Sequence, residues 1–304
     1  MTINAVYCTD DNYVMPAMVS IASLKANNPE CNIQIHLIGD KLSEQTCKKC
    51  KEFASSINVT LFIYNTDTKL LSDNFPEMPD HISLATFLRC FITDFLPSTL
   101  DKVFYFDCDM LILGSLKELL GEPLYGVSVL AAEETDAIAN AKRLGYPIEY
   151  SYFNAGFLVI NLDYWRKINL KQQTLDFLVK NPDKLLFHDQ DVLNALLHST
   201  KKMVSIKYNM QDPFYRRAPK LRPGFMEEAE PWIWKPVVLH FTGRHKPWKY
   251  KTTHPMKFEF EKYLEMTPYK GWKPQRTFLE ILEVHINKFL EKIHLHKDRF
   301  RKYI

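Results

Sequence analysis

The chain has 304 residues, 46% of them hydrophobic and 13% aromatic, which excludes a disordered polypeptide and allows a sizeable core. No run approaches the roughly 20 consecutive apolar residues of a membrane span, and a net charge of +3 is too small to argue for a nucleic-acid partner. The six cysteines (Cys8, Cys31, Cys47, Cys50, Cys90 and Cys108) sit in stretches that look like strand or helix interiors, which predicts reduced thiols rather than a disulfide framework.

The opening MTINAVYCTDDNY has no basic leader and turns acidic after a short apolar strand, so a cytoplasmic location is expected. After INAVYCT, residues 15–28 have the three- and four-residue apolar spacing of a helix, NIQIHLIG reads as a second strand, and residues 42–56 read as a second helix capped by Ser43. Cys47 and Cys50 fall on that helix without a second pair, so they do not read as a zinc site. The apolar runs NVTLFIYN, KVFYFDCD, GVSVLAAE, GFLVINL and VVLHFTG follow. Strands alternating with helices predict an α/β fold with a mostly parallel sheet covered on both faces, and in such sheets ligands gather at strand carboxyl ends near the topological switch point. TDDNY and DCD both fall at such ends. Neither a GxGxxG nor a GxxxxGK[ST] follows the first strand, so any nucleotide must be held another way. Prolines concentrated after residue 212 predict irregular loops over the sheet.

Several polar clusters offer chemistry. Strand alternation would point Asp107 and Asp109 the same way, and two adjacent carboxylates need a cation, Mg²⁺ or Mn²⁺ by their hard oxygens. His240 at a strand end would favour Mn²⁺, and Lys246 with the backbone N–H of Gly243 could hold a diphosphate. Asp189, Gln190 and Asp191 precede an amphipathic helix, where an Asp is also an ordinary N-cap. Asn154 starts a strand beside Ala155 and Gly156, small residues that would let a ligand approach the backbone.

The ordered motifs TDDNY, HISLATFLR, FDCDMLILGSL, FNAGFLVINLDYWR, HDQDVLNALL and HFTGRHKPW, over residues 4 to 250, resemble glycosyltransferase family 8, above all bacterial lipopolysaccharide galactosyl- and glucosyltransferases. The resemblance implies a Rossmann-like GT-A fold, a UDP-sugar donor, Mn²⁺ and a retaining mechanism. It makes Asp107, Asp109 and His240 the metal ligands and places Thr9, Asp10, Asn12, Tyr13, Ile82 and Cys108 around the nucleotide, with Tyr13 able to stack on uracil. Arg89, Asn154 and Ala155 would meet the donor sugar, Asp189 and Gln190 would flank the anomeric carbon, and Gly243 and Lys246 would grip the diphosphate. Where relatives often carry an Asp, this chain reads VLAAEETD, leaving Glu133 and Glu134 as alternatives for a donor-sugar contact. Two rival readings are a non-catalytic sugar-nucleotide-binding or scaffold protein, and a hydrolase using Asp189 and Asp191 as acid and base.

The implied catalytic domain spans 1–250, leaving 251–304 as a C-terminal region. From Arg276 onward seven Lys/Arg face four acids, so this tail carries the whole positive excess. Phe278, Leu282, Ile286, Phe289, Ile293 and Phe300 form an apolar stripe at helical spacing, which predicts a basic amphipathic helix lying on a membrane, with the turns from Lys288 onward meeting anionic lipid. Packing on the catalytic body or an oligomer contact are the alternatives. The expected partners are thus a UDP-hexose, an oligosaccharide or lipid-linked glycan acceptor, and the inner face of the cytoplasmic membrane.

Overall fold

The computed structural model describes residues 1–67, 84–243, 246–295 and 297–302. Its strands in chain order are β1 (Thr2–Thr9), β2 (Asn32–Asp40), β3 (Thr60–Thr66), β4 (Lys102–Phe106), β5 (Met110–Ile112), β6 (Val129–Glu133), β7 (Phe153–Asn161), β8 (Lys202–Val204), β9 (Met210–Gln211) and β10 (Val238–His240). Seven of them form one sheet in the order β3-β2-β1-β4-β7-β6-β8. All adjacent pairs are parallel except those of β7, which runs antiparallel between β4 and β6.

The strands are apolar without interruption because both faces are covered. Ala5, Tyr7, Ile35 and Leu37 pack with Met18 and Phe53 of helices Val14–Asn27 and Glu44–Ser56. On the opposite face Val6, Ile38 and Tyr105 pack with Trp165, Leu175, Leu178 and Val192. The second helix begins where its cap predicts, with Ser43 Oγ accepting from Thr46 N at 3.2 Å.

The chain leaves β1 in one direction to β2 and β3, then returns on the other side of β1 as β4. The switch point therefore lies between β1 and β4, and TDD and DCD stand together at its carboxyl end. VVLHFTG does not join the large sheet. It supplies β10 of a small sheet in the order β5-β10-β9, antiparallel to β5 and parallel to β9.

The C-terminal region departs from the expectation in one respect. Helix Lys257–Leu264 buries Phe260, Tyr263 and Leu264 in the same core as Met18, and Tyr263 Oη receives a 2.7 Å hydrogen bond from Asn27. Helix Phe278–Lys292 opens with a Thr277/Glu280 capping box and buries none of its residues. The final turns do not continue outward. Residues 298–301 return to the body: Arg217 N donates to Arg299 O at 2.9 Å, Arg301 N donates to Tyr215 O at 2.7 Å, and Phe300, 1% exposed, packs its ring 5.0 Å from that of His254. Phe300 is therefore a core residue rather than part of the stripe. A buried aromatic outweighs a few flanking charges, since removing one costs several kcal/mol whereas each basic group at a lipid surface contributes about 1 kcal/mol.

Phe300→Ala should lower the unfolding free energy by about 3–5 kcal/mol. Urea denaturation measures this, and a change below about 1 kcal/mol would show that the chain end is not part of the core.

Candidate active site

Asp107 and Asp109 converge by a turn, not by strand alternation. β4 ends at Phe106, Met110 N donates to Asp107 O at 3.2 Å, and β5 begins at Met110, so DCD is the corner between two sheets. The small sheet then delivers the imidazole. His240 pairs with Met110 in the β5–β10 register, and Phe241 N donates to Asp109 O at 3.0 Å, which fixes the histidine beside the corner. His240 Nε2 lies 3.3 Å from Asp109 Oδ1 and 3.9 Å from Asp107 Oδ2. One ligand atom from each of the three residues lies within 4.8 Å of the others.

The corner gathers charge that its neighbours partly balance. Arg89 Nη2 pairs with Asp107 at 2.8 Å, its Nε pairs with Asp189, its Nη1 donates to Ala155 O at 2.7 Å, and its guanidinium lies 4.6 Å from the centre of the Tyr105 ring. Tyr105 Oη also donates to Asp107, at 3.0 Å. Lys246 Nζ donates to Asp109 Oδ2 and to Phe241 O. Burial alone would raise the Asp109 carboxyl, but Lys246 and His240 outweigh it and hold the group well below the usual carboxylate range. Among the described residues, Asp109 Oδ1 is buried without a hydrogen-bond partner. An orphaned carboxylate oxygen facing a second carboxylate and an imidazole is a donor set that suits a hard or borderline divalent cation.

Beside this corner, the amide of Asn154 donates to Glu134 Oε2 at 2.7 Å. Gln190 accepts from Ala155 N at 2.9 Å and donates to Glu134 at 3.3 Å. Glu134 therefore faces the site, whereas Glu133 is engaged by Arg222 through two 2.8 Å contacts. Asp189 is not the N-cap; it is the first residue of helix Asp189–Leu197, preceded by His188 with φ 49°. Burial pushes its carboxyl up to about 6, with Arg89 restraining the rise. Asp191 is structural. It is fully buried, accepts from Leu186 N, Phe187 N and Tyr152 Oη at 2.6–2.7 Å, and pairs with Arg143. Gly156 makes room for protein rather than ligand, since a Cβ there would lie 2.4 Å from His240 Cε1.

A cleft of about 460 Å³ opens over the corner, lined by Thr9, Asp10, Tyr13, Asp40, Arg89, Asp107, Cys108 and Asp109 among others. Asp10 is largely committed to its own turn, accepting from Asn12 N and Tyr13 N at 2.9 Å and from the Asn12 amide at 3.2 Å. Tyr13 is 44% exposed and meets Trp248 edge-on at 5.9 Å, which leaves ring surface for stacking. Cys108 Sγ donates to Cys8 O at 3.3 Å, and burial pushes its thiol far up, so it acts as packing rather than as a nucleophile. Gly243 has φ +74°, a conformation that favours glycine. Ile82, Arg244 and His245 lie outside the described residues. Sequence reading missed Tyr105, which belongs to a strand indistinguishable from core, and Asn209, a lone polar residue between short elements.

The family model described as Glycosyl transferase family 8 matches residues 4–252, a span that includes the whole corner. The chain belongs to glycosyl transferase family 8. Among relatives, General stress protein A of Bacillus subtilis is 27% identical over 271 residues, covering 86% of this chain and 93% of that protein. Lipopolysaccharide 1,2-glucosyltransferase of Escherichia coli (strain K12) is 27% identical over 279 residues, covering 90% and 80% respectively. The crystal structure of the galactosyltransferase LgtC in complex with donor and acceptor sugar analogues superposes with a TM-score of 0.76 at 23% identity, covering 88% of this chain and 96% of that one. This glycosyltransferase therefore has the GT-A fold, with the DCD corner at its switch point.

The Arg89–Asp189 ion pair exists only while Asp189 is ionised, above pH about 6. Turnover by this family 8 enzyme should therefore fall as pH drops through about 6, and Asp189→Asn, slower throughout, should lose that acid limb. A pH profile of kcat decides; an unchanged limb in the variant would assign it to another group.

Proposed function

We propose that the chain is a retaining hexosyltransferase that moves galactose or glucose from a UDP-sugar to a glycan acceptor of lipopolysaccharide or another cell-surface polymer, with Mn²⁺ as the preferred metal and Mg²⁺ as a substitute. The observation that carries this reading is the Asp107–Asp109–His240 cluster beneath a cleft whose wall includes Asp10 and Tyr13. Asp107, Asp109 and His240 would hold a divalent cation, which would supply counter-charge to the departing diphosphate. In this reading residues 1–250 contain the chemistry.

The protein's own groups divide the remaining work. Tyr13 stacks on the base, and Lys246 with the Gly243 backbone holds the diphosphate, where negative charge grows as the glycosidic bond to UDP breaks. Among the described residues, Asp107, Asp189 and Ala155 engage three of the five N–H donors of Arg89, which leaves two for the donor sugar. Gln190 is too poor a nucleophile to form a covalent intermediate, and its amide is held at both ends, so it orients the sugar. Asp189, paired with Arg89, polarises the anomeric carbon, and the acceptor hydroxyl attacks from the leaving-group side through a short-lived oxocarbenium-like pair, its proton passing to the diphosphate oxygen that has just departed. The hydrolase reading is disfavoured because Asp191, its second carboxylate, is fully buried and spent on four contacts. A scaffold would not need all three ligand positions filled.

Asp109→Ala should reduce UDP release from UDP-galactose and UDP-glucose by about 10³-fold or more, the scale of losing charge stabilisation at a leaving group. EDTA should silence the wild type and Mn²⁺ restore it. Near-normal turnover with EDTA, or preference for a GDP- or CMP-sugar, would overturn the reading.

We also propose that helix Phe278–Lys292 rests on the cytoplasmic face of the membrane. Its stripe of Phe278, Leu282, Ile286, Phe289 and Ile293 is 43–77% exposed, and Lys288, Lys292, Lys297 and Arg299 lie in or just beyond its last turns. Leu282→Glu with Phe289→Glu should abolish co-sedimentation with phosphatidylglycerol vesicles and spare transfer to a soluble acceptor. Unchanged sedimentation of the double variant, or none by the wild type, would defeat the membrane assignment.

A further inference from the structure

We infer that Asn209 sets the tautomer of His240, and that the donor-sugar residue Asn154 and the metal ligand His240 are thereby parts of one directional hydrogen-bond chain. The inference rests on the proposed metal role of His240.

The direction follows from groups that have only one role. The Glu134 carboxylate accepts, and the backbone N–H of Gly156 donates. Asn154 lies between them, with Nδ2 2.7 Å from Glu134 Oε2 and Oδ1 3.0 Å from Gly156 N. A reversed amide would set its oxygen against the carboxylate and its NH₂ against the N–H, so this orientation alone satisfies both. Asn154 Oδ1 is therefore what Asn209 meets at 2.8 Å, and Asn209 must present its NH₂ there. Its own Oδ1 then faces His240 Nδ1 at 2.9 Å. In the neutral ring the proton must sit on Nδ1, which leaves the Nε2 lone pair aimed at the two aspartates.

Burial enforces the sequence of contacts. Asn209 is 0% exposed, His240 4% and Asn154 5%, so solvent is a poor substitute for a missing link. The ring lies against the backbone at Gly156, so that a Cβ added there would come within 2.4 Å of Cε1. Partners that orient a ligating histidine typically contribute 10–100-fold in metal affinity or activity. Asn209 is thus a positioning residue, and it also supports Asn154, so distortion at the sugar side is transmitted to the metal side.

The test uses the full chain with three readouts: Mn²⁺ affinity from the electron paramagnetic resonance signal of free Mn²⁺, the His240 tautomer in metal-free protein from long-range ¹H–¹⁵N correlation, and KM for the UDP-sugar. Asn209→Leu, which removes donor and acceptor at similar volume, should weaken Mn²⁺ binding about 10–100-fold and dissolve the Nδ1–H signature. Asn209→Asp keeps the acceptor for His240 and loses the donor to Asn154; it should retain the Nδ1–H signature, bind Mn²⁺ at least as tightly as the wild type, and raise KM. Wild-type Mn²⁺ affinity and an unchanged tautomer in the leucine variant would overturn the inference, as would loss of the Nδ1–H signature in the aspartate variant, which stays decisive if the leucine variant fails to fold. Failure of the wild type to bind Mn²⁺ would overturn the metal reading instead, with the tautomer signature still deciding the hydrogen-bond chain.

Discussion

Three carboxylates, Asp107, Asp109 and Asp189, are held within one corner at the carboxyl end of the central sheet, facing two cations, Arg89 and Lys246. Like charges this close, two of them largely buried, are tolerated only with compensation. The surrounding architecture can be read as the means of providing it. Helix Leu84–Asp94 brings Arg89 under the corner, the loop after β10 brings Lys246 over it, and the small sheet sets His240 against its third side. The local balance is still one charge negative, so the corner attracts a cation. Once a divalent ion is added its sign reverses and it suits a diphosphate.

The central strands and the first two helices were legible because their signals are local. Continuous apolar runs, helical apolar spacing and a serine cap at residue 43 act within a few residues and do not depend on the rest of the chain. The corner itself was legible in composition but not in geometry. Two aspartates separated by a single residue announce a cation, yet they converge through a turn, because β4 ends before them and a strand of a second sheet begins at Met110. β5 and β9 are only three and two residues long, too short for a periodicity to show, and the run VVLHFTG that contains β10 carries no mark of which sheet it joins.

The tail illustrates the same limit from the other side. An apolar stripe at helical spacing correctly marks Phe278–Lys292, but spacing cannot tell a residue on the stripe from one beyond the helix that has turned back into the core, and Phe300 is the latter. Glu133 and Glu134 were indistinguishable for a related reason. Distant residues separate them: Arg222 draws Glu133 away, while Asn154 and Gln190 donate to Glu134. Asn209, too, has no local signal; its role depends on residues 55 and 31 positions away in the chain.

The ring of His240 occupies the space that a side chain at position 156 would need. In evolutionary terms the two positions form a lock. While the histidine is kept, even alanine is barred at 156, and a lineage that exchanged the histidine for a smaller residue would release position 156 to drift. Histidine at 240 should therefore be accompanied by glycine at 156 among descendants of a common ancestor, whereas glycine at 156 can outlast the histidine. A descendant carrying a side chain at 156 can be read as one that has abandoned the imidazole, even before its residue at 240 is known.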